Sequence, residues 1–473
     1  MKLFGPTLLM IAQYTTIIVS PLVNLLVVRY LGVESFGYYA SAIAITSFFV
    51  LLADFGLQQS ILHLNAQNPS PTIVKKGLIL GLIYTLGAYL FTALWFNLFD
   101  YVELVKILGL LLGISYFRTI IVSILSAGLQ VEGKYTRIAV WNLNISTSQW
   151  LTTLLVMFAG GGIYTLILLP LIIGLFIALL MLFIEGKHLK VFARNTHSTS
   201  SYSDLARNSV SFGLTGSMYQ IYHRSDGAIL SAARNPIEVG QYTVAFKIME
   251  LFYQFPGVLF NQILYPKYFA WSQKDPARLQ FYYQMMNKIV FTIGMIATIF
   301  VLLFGTDLIR IIFGESQGDS AYYLFLMSFS VPLFFIASSM GSLLTTGGYL
   351  KTKIKIQMVV AILNVALNII FVPIYGAVAA AILVVLTNVF LIIGYGAYIS
   401  LDVYKGLFLR KKSYLFVMIQ CAILCLPFFH LLGDQLLFKS IEFILYFLGI
   451  VLTGFLWVNK KEKEELLSLI KMK

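Results

Sequence analysis

The sequence predicts an all-α polytopic membrane protein with fourteen transmembrane helices: two six-helix bundles in parallel repeat, plus two extra C-terminal helices. Three observations predict it. Of 473 residues, 59% are hydrophobic and only 11% are charged, with a mean hydropathy of +0.86. Soluble chains carry about 25% charged residues, so too few charges are present to cover a water-soluble surface, and a cytosolic enzyme or nucleic-acid-binding module is excluded. Fourteen apolar runs of roughly membrane-spanning length, about 20 residues, follow one another along the chain. The basic residues collect in alternate connections, as the positive-inside rule requires.

The runs fall at 3–28, 36–62, 77–98, 104–128, 138–159, 163–184, 208–233, 241–266, 286–305, 320–345, 356–372, 376–399, 414–432 and 440–458. The first is too long for a signal-peptide core and has no small-residue cleavage site, so it reads as a retained helix. Strands of a membrane barrel would be about ten residues long and alternate in polarity; these runs do neither. Pro373-Ile374-Tyr375-Gly376 marks a tight turn between the eleventh and twelfth. With Met1 inside, 25 of the 33 Lys and Arg fall in inner segments, five (Arg29, Lys106, Arg234, Arg310, Lys439) fall outside, and Arg118, Arg224 and Lys247 lie within spans. One helix more or fewer would invert every later loop and destroy that bias. The net charge of +13 therefore belongs to an inner face on anionic lipid, and both termini are expected on that side.

Organisation follows from the runs: a first bundle over 1–190, a Ser/Thr-rich inner linker at 191–207, a second bundle over 208–400, two additional helices over 401–458, and a tail at 459–473. The tail alternates Lys and Glu with Leu466, Leu467, Leu469 and Ile470, the pattern of a surface-lying amphipathic helix. Outer connections reach about fourteen residues at most, at 306–319, so no aqueous domain is expected. No Walker A sequence, zinc-ligand spacing or nucleophile elbow is present. Cys421 and Cys425, one turn apart in an apolar run, form neither a disulfide framework nor a metal site. The chemistry must happen inside the bundle, which favours transport over catalysis and no resident cofactor.

Gly37-Tyr38-Tyr39-Ala40-Ser41-Ala42 and Gly240-Gln241-Tyr242-Thr243-Val244-Ala245 both read G-x-Y-x-x-A, 203 residues apart, at the starts of the second and eighth spans. Ile45, Phe49 and Gln59 recur at the same offset as Ile248, Phe252 and Gln262. Six spans separate the copies, so both halves enter from one side, as in parallel repeats that place a substrate site between them.

Arg29 to Tyr39 (RYLGVESFGYY), Ala53-Asp54-Phe55-Gly56-Leu57, and Arg224-Ser225-Asp226-Gly227 with Val239-Gly240-Gln241-Tyr242 resemble the polysaccharide (O-antigen type) flippases of the multidrug/oligosaccharidyl-lipid/polysaccharide exporter superfamily. The resemblance implies two six-helix bundles around a central cavity that opens alternately to each side of a bacterial inner membrane. It also implies a polyprenyl-pyrophosphate-linked oligosaccharide as cargo, with membrane lipids and a polysaccharide polymerase as partners. Fourteen helices, where many members have twelve, keep a lipid-linked peptidoglycan precursor as an alternative cargo. A cation-coupled multidrug exporter is a second alternative.

Ionisable residues inside spans are costly and mark cavities, partners or ion paths. Here they are Asp54, Arg118, His223, Arg224, Asp226, Lys247 and Glu250. Arg118, Arg224 and Lys247, joined at the outer boundary by Arg29, are the candidate ligands of the pyrophosphate headgroup. Asp54, Asp226 and Glu250 would hold these bases when cargo is absent, and a carboxylate or His223 would take up a proton or sodium ion to couple the cycle to a gradient. The competing reading makes Asp54–Arg118 and Asp226–Lys247 structural ion pairs. Lys247, Glu250 and Gln254 share one helical face. Pro21, Pro170, Pro256 and Pro332 lie within spans and can kink them; Pro256-Gly257 is the expected hinge. His63, His188 and His430 are assigned to the interface.

Overall fold

The computed structural model describes residues 4–67, 72–189, 191, 201–314, 318–346, 348–400, 412–429, 436–458, 460 and 462–464. All regular structure among them is helical: α1 (Phe4–Asp54), α2 (Leu57–Gln67), α3 (Ile73–Leu98), α4 (Glu103–Gly113), α5 (Ser115–Val131), α6 (Tyr135–Phe158), α7 (Ile163–His188), α8 (Tyr202–Ala233), α9 (Pro236–Pro256), a π-helical stretch (Gly257–Leu264), α10 (Tyr265–Lys274), α11 (Pro276–Phe313), α12 (Gly318–Ser328), α13 (Ser330–Leu344), α14 (Leu350–Tyr398), α15 (Lys412–Cys425) and α16 (Leu436–Trp457).

Two of these helices each contain two spans. α1 passes through Gly32 (φ 72°, ψ 175°) and α14 through Gly376 (φ 60°, ψ −141°), the latter at the Pro373–Gly376 turn expected from sequence. Conversely, α1 with α2, α4 with α5, α9 with α10, and α12 with α13 each make one span in two pieces; α12 and α13 are bent by 41°. Counted so, the described helices form fourteen membrane segments. Seven helices are long and apolar enough to cross a membrane on that criterion alone. α6, α8 and α9 are long enough but too polar to be among them, because they carry runs such as Asn142, Asn144, Ser146, Ser148 and Gln149. Such helices need polar surroundings, and the bundle supplies them.

Several limits differ from the apolar runs. α11 extends from Pro276 to Phe313, so Lys288, one of the 25 basic residues counted to inner segments, is a buried residue of the helix, and most of the expected fourteen-residue outer connection is helical. Lys439, assigned to an outer segment, lies buried in α16. The His197–Ser200 stretch of the linker, His430, the basic segment 401–411 and most of the tail lie outside the described residues.

Contacts gather the chain into two compact units, Met1–Gly240 and Gln241–Lys473. The sequence partition counts residues 208–233 to the second bundle, whereas α8 packs on α1 and α2 within the first unit. Small residues let the backbones approach. A Cβ on Gly56 would lie 2.4 Å from the Gly213 nitrogen, and one on Gly37 would lie 2.2 Å from the Pro236 carbonyl oxygen. Ser60 Oγ donates to the Leu205 carbonyl (3.0 Å), Ser209 Oγ to the Phe55 carbonyl (2.8 Å) and Ser231 Oγ to the Ser41 carbonyl (3.2 Å). Hydroxyl-to-carbonyl bonds of this kind replace the hydrophobic drive that lipid cannot provide.

The first unit has two main apolar clusters. One gathers Leu57, Ile61, Ile120, Ile124 and Met181; the other gathers Ile45, Phe49, Ala53, Phe96 and Tyr116. In the second unit, α11, α13 and α14 form the core, with Met295, Phe335, Met340 and Leu391 buried. Leu90, Phe158, Ile362 and Leu452 are among the large apolar residues left exposed, as a lipid-facing surface demands. Cys421 and Cys425 are free and exposed.

Candidate functional site

The two apolar clusters of the first unit meet at the level where α1 breaks. α1 stops at Asp54, Phe55 and Gly56 take positive φ (32° and 80°), and α2 starts at Leu57. A non-glycine residue with positive φ is uncommon and signals a local constraint. Here the constraint is α8, whose Gly213 and Ser209 press on the break. Freed from the helical ladder, the Gln58 N–H donates to Asp54 Oδ1 (3.3 Å), and Ser123 Oγ of α5 donates to the same oxygen (3.3 Å). The apolar run at 36–62 gives no hint of this break.

Arg118, one turn before Val122 on α5, lies at the same seam, between Tyr116 of one cluster and Ile120 of the other. Two cavities flank it. The lower, of about 680 Å³, is lined by Gln13, Asp54, Gln58, Arg118, Asn142 and Gln149, among others. The upper, of about 260 Å³, is lined by Asn24, Tyr39, Ser115, Arg118, Gln149 and Pro170, among others. Asp54 and Arg118 thus share a cavity, but they form no ion pair: Arg118 has no hydrogen-bond or ion-pair partner among the described residues. Isolated cations inside a bundle are costly, so this guanidinium is available to a ligand.

None of the other predicted residues lines either cavity. Arg29 is exposed near the end of the first half of α1, just before Gly32. On α8, Arg224 Nε donates to Gln220 Oε1 (2.9 Å) within its own helix, as the i−4 spacing suggests. Asp226 is buried and accepts from the Gly227 N–H (2.9 Å), and the His223 ring lies tilted beside that of Tyr222, 5.3 Å between centroids. Lys247 Nζ pairs with Glu250 at 2.7 Å, one helical turn on, with both side chains about one-third exposed. Of the ion pairs weighed from sequence, Asp54–Arg118 does not form among the described residues; Lys247 takes Glu250, because i and i+3 on one helix are nearest neighbours.

Sequence reasoning missed three features. Gln149 faces both cavities beside Arg118, and Gly174 of α7 leaves the space that the two side chains fill. Lys288, buried on α11, bonds Glu462 at 2.8 and 3.0 Å. Lys353, at the start of α14, donates to Thr345 Oγ1 at 2.8 Å. Only the last two could have been suspected, as charges adjoining apolar runs.

Where the C-terminal end of α7 meets the start of α6, Glu185 is buried and accepts from Arg137 and Trp141 (both 3.0 Å). Nearby, Glu132 meets Lys134 and His188. Partial burial alone would raise the Glu132 carboxyl, but the hydrogen bonds and charges of Lys134 and His188 outweigh it and hold it below its ordinary value of 4.5.

Residues 26–322, more than half of the chain, match the model of a family described as polysaccharide biosynthesis protein. The chain belongs to that family. No curated protein matches it in sequence. Among solved structures, its fold is similar to that of the lipid II flippase MurJ in an inward closed conformation, with a TM-score of 0.73 at 16% identity, covering 97% of this chain and 100% of that one. It is also similar to an inward-facing MATE multidrug resistance transporter of the MOP superfamily (TM-score 0.56, 15% identity, 82% of this chain and 96% of that one). An outward-facing MATE transporter gives 0.51 at 16% identity, with 83% and 92% covered. This member of the polysaccharide biosynthesis family is therefore a multi-pass membrane protein with the fold shared by these transporters.

Proposed function

We propose that the protein is a flippase that carries a polyprenyl-pyrophosphate-linked oligosaccharide repeat unit from the cytoplasmic to the outer leaflet of the bacterial inner membrane, by alternating access, for assembly of a surface polysaccharide of the O-antigen type. The observation that carries this reading is membership of a polysaccharide biosynthesis family in a chain whose described residues form membrane helices of transporter fold. The described residues form membrane helices and no folded aqueous domain to bind a sugar nucleotide, which suits translocation rather than glycosyl transfer.

In this reading the lipid tail stays in the bilayer while the headgroup crosses among polar helices. Arg118, Arg224 and Lys247 attract the pyrophosphate, with Arg29 at the entrance, since guanidinium and ammonium groups match phosphate oxygens. Asp54, His223, Asp226 and Glu250 answer those charges or carry a coupling proton or sodium ion. The termini face the cytoplasm, and a polysaccharide polymerase receives the product outside. The unpaired Arg118 favours an anionic cargo over the cationic drugs of an exporter.

A second reading, a flippase for a lipid-linked peptidoglycan precursor, is favoured by one observation. The likeness to the lipid II flippase covers 97% of the chain, against 83% for the outward-facing MATE transporter, a difference about the size of the last two helices with their tail.

Reconstitution into vesicles with fluorescent polyprenyl-pyrophosphate oligosaccharides and with labelled lipid II separates the readings. Movement of the oligosaccharide lipid to the opposite leaflet is expected, and Arg224→Ala or Lys247→Ala, with membrane insertion verified, should lose it. Movement of lipid II alone would install the second reading, and movement of neither would overturn both.

A further inference from the structure

Among the described lining residues, Arg118 and Gln149 alone belong to both cavities of the first unit. They form the waist of one polar recess. Their polar ends converge opposite Gly174, where an added Cβ would lie 3.1 Å from Arg118 Nη1 and 3.7 Å from Gln149 Nε2. Neither side chain has a hydrogen-bond partner among the described residues. A guanidinium offers five N–H donors in a planar fork and a carboxamide two more, so the waist is a cluster of unused donors around a fixed positive charge. Below it the recess changes character. Gln13, Gln58, Gln130, Asn142 and Ser146 supply neutral amides and a hydroxyl, the groups that bond sugar hydroxyls in either direction. Asp54 is the acid of that chamber, and its Oδ1 is already engaged by Gln58 and Ser123. The chamber of about 680 Å³ is within the ordinary size range of small-ligand pockets.

We propose that this recess, inside the first unit, is a binding subsite for an acidic saccharide, in which Arg118 and Gln149 grip the anionic oxygens while the neutral side chains below hold the sugar hydroxyls. It rests on the flippase reading for the saccharide, but its geometry belongs to the first unit alone. The anionic oxygens come either from a sugar carboxylate or from the phosphates of the lipid linkage; both match the Arg118 fork.

The test is binding to the full chain in lipid nanodiscs, followed calorimetrically, with glucuronate, inorganic pyrophosphate and glucose as probes. Wild type should bind at least one anion more tightly than glucose. Preference for glucuronate assigns the anion to the sugar, and preference for pyrophosphate assigns it to the linkage. Arg118→Gln should weaken the anion at least tenfold and leave glucose within twofold. Arg118→Lys, which keeps the charge but loses the fork, should lie between. Gly174→Ala should weaken the anion three- to tenfold by displacing the guanidinium, and Arg310→Gln, exposed on α11, should change nothing. Anion binding unaltered in Arg118→Gln, equal losses of anion and glucose, or no anion binding by wild type would each overturn the proposal. Binding that follows Arg118 in a protein that moves no lipid-linked oligosaccharide would overturn the flippase reading and leave the subsite standing.

Discussion

Two helices related by the 203-residue repeat break at the same register, and they do so by different chemistry. In the first unit the helix stops at Asp54; in the α9 segment it stops at Pro256, one residue short of the equivalent position, Gly257. The first break is made by two positive-φ residues, Phe55 and Gly56, jammed against α8. The second is made by a proline and continues as eight residues of π-helix, a form common at functional sites. The first break frees a carboxylate into a polar cavity, whereas Gly257–Leu264 contains no ionisable residue. The same contrast extends to the cations. Lys247, Lys288 and Lys439 of the second unit rest on Glu250, Glu462 and Asp307 at 2.7–2.9 Å, while Arg118 of the first has no partner among the described residues. A repeated scaffold has kept its mechanical bend in both copies and placed an open charge in one.

The largest expected effect contrasts the two glycines. Gly56→Ala puts a Cβ 2.4 Å from backbone at φ 80°, at a cost of at least about 3 kcal/mol from strain and overlap. Little folded protein should survive detergent extraction. Gly257 has nothing within 4 Å, and Gly257→Ala should extract at wild-type level. Equal yields would erase the distinction between the breaks.

Next comes the closed pair at α11. Lys288→Ala removes the ammonium that bonds Glu462, whose side chain is 0% exposed, and should lower stability by about 3–5 kcal/mol, whereas Lys288→Met with Glu462→Leu should recover most of it. Thermal unfolding of both variants measures the difference; a double variant as unstable as the single one would show that the ion pair itself is indispensable. Pro256→Ala removes the stop that ends α9 and lets the α-helical ladder compete with the π-turns. It should leave folding intact and slow translocation about tenfold, roughly 1.4 kcal/mol in barrier; an unchanged rate would make the π-stretch a static feature.

The smallest effect is at Glu132. Its folded pKa is depressed, so its contribution is present above the ordinary value of 4.5 and fades as pH falls through the lower folded value. With the pair about one-third exposed, Glu132→Gln should cost under about 1 kcal/mol. That cost should vanish in unfolding curves taken well below pH 4.5.

Much of the fold was legible because the bilayer imposes a simple rule: about 20 apolar residues per crossing. Gly37 and Gly240 were legible as a repeat, Pro373–Gly376 as a turn, Pro256-Gly257 as a break in the helix, and Lys247 with Glu250 as neighbours on one face, because each depends on residues close in the chain or on a fixed offset. The waist of the recess was not. Gln149 is an unremarkable amide in a polar helix and Gly174 one glycine among 35; their meaning depends on three helices meeting. Likewise Lys288 and Glu462 are 174 residues apart, and no local pattern joins them.

By itself the sequence determined that the chain lives in a membrane and enters it as helices, since hydropathy acts locally on each segment. The tertiary structure decided which charges are spent on one another and which is left open. Ion pairing depends on a few ångströms between helices, and only the packed bundle fixes those distances.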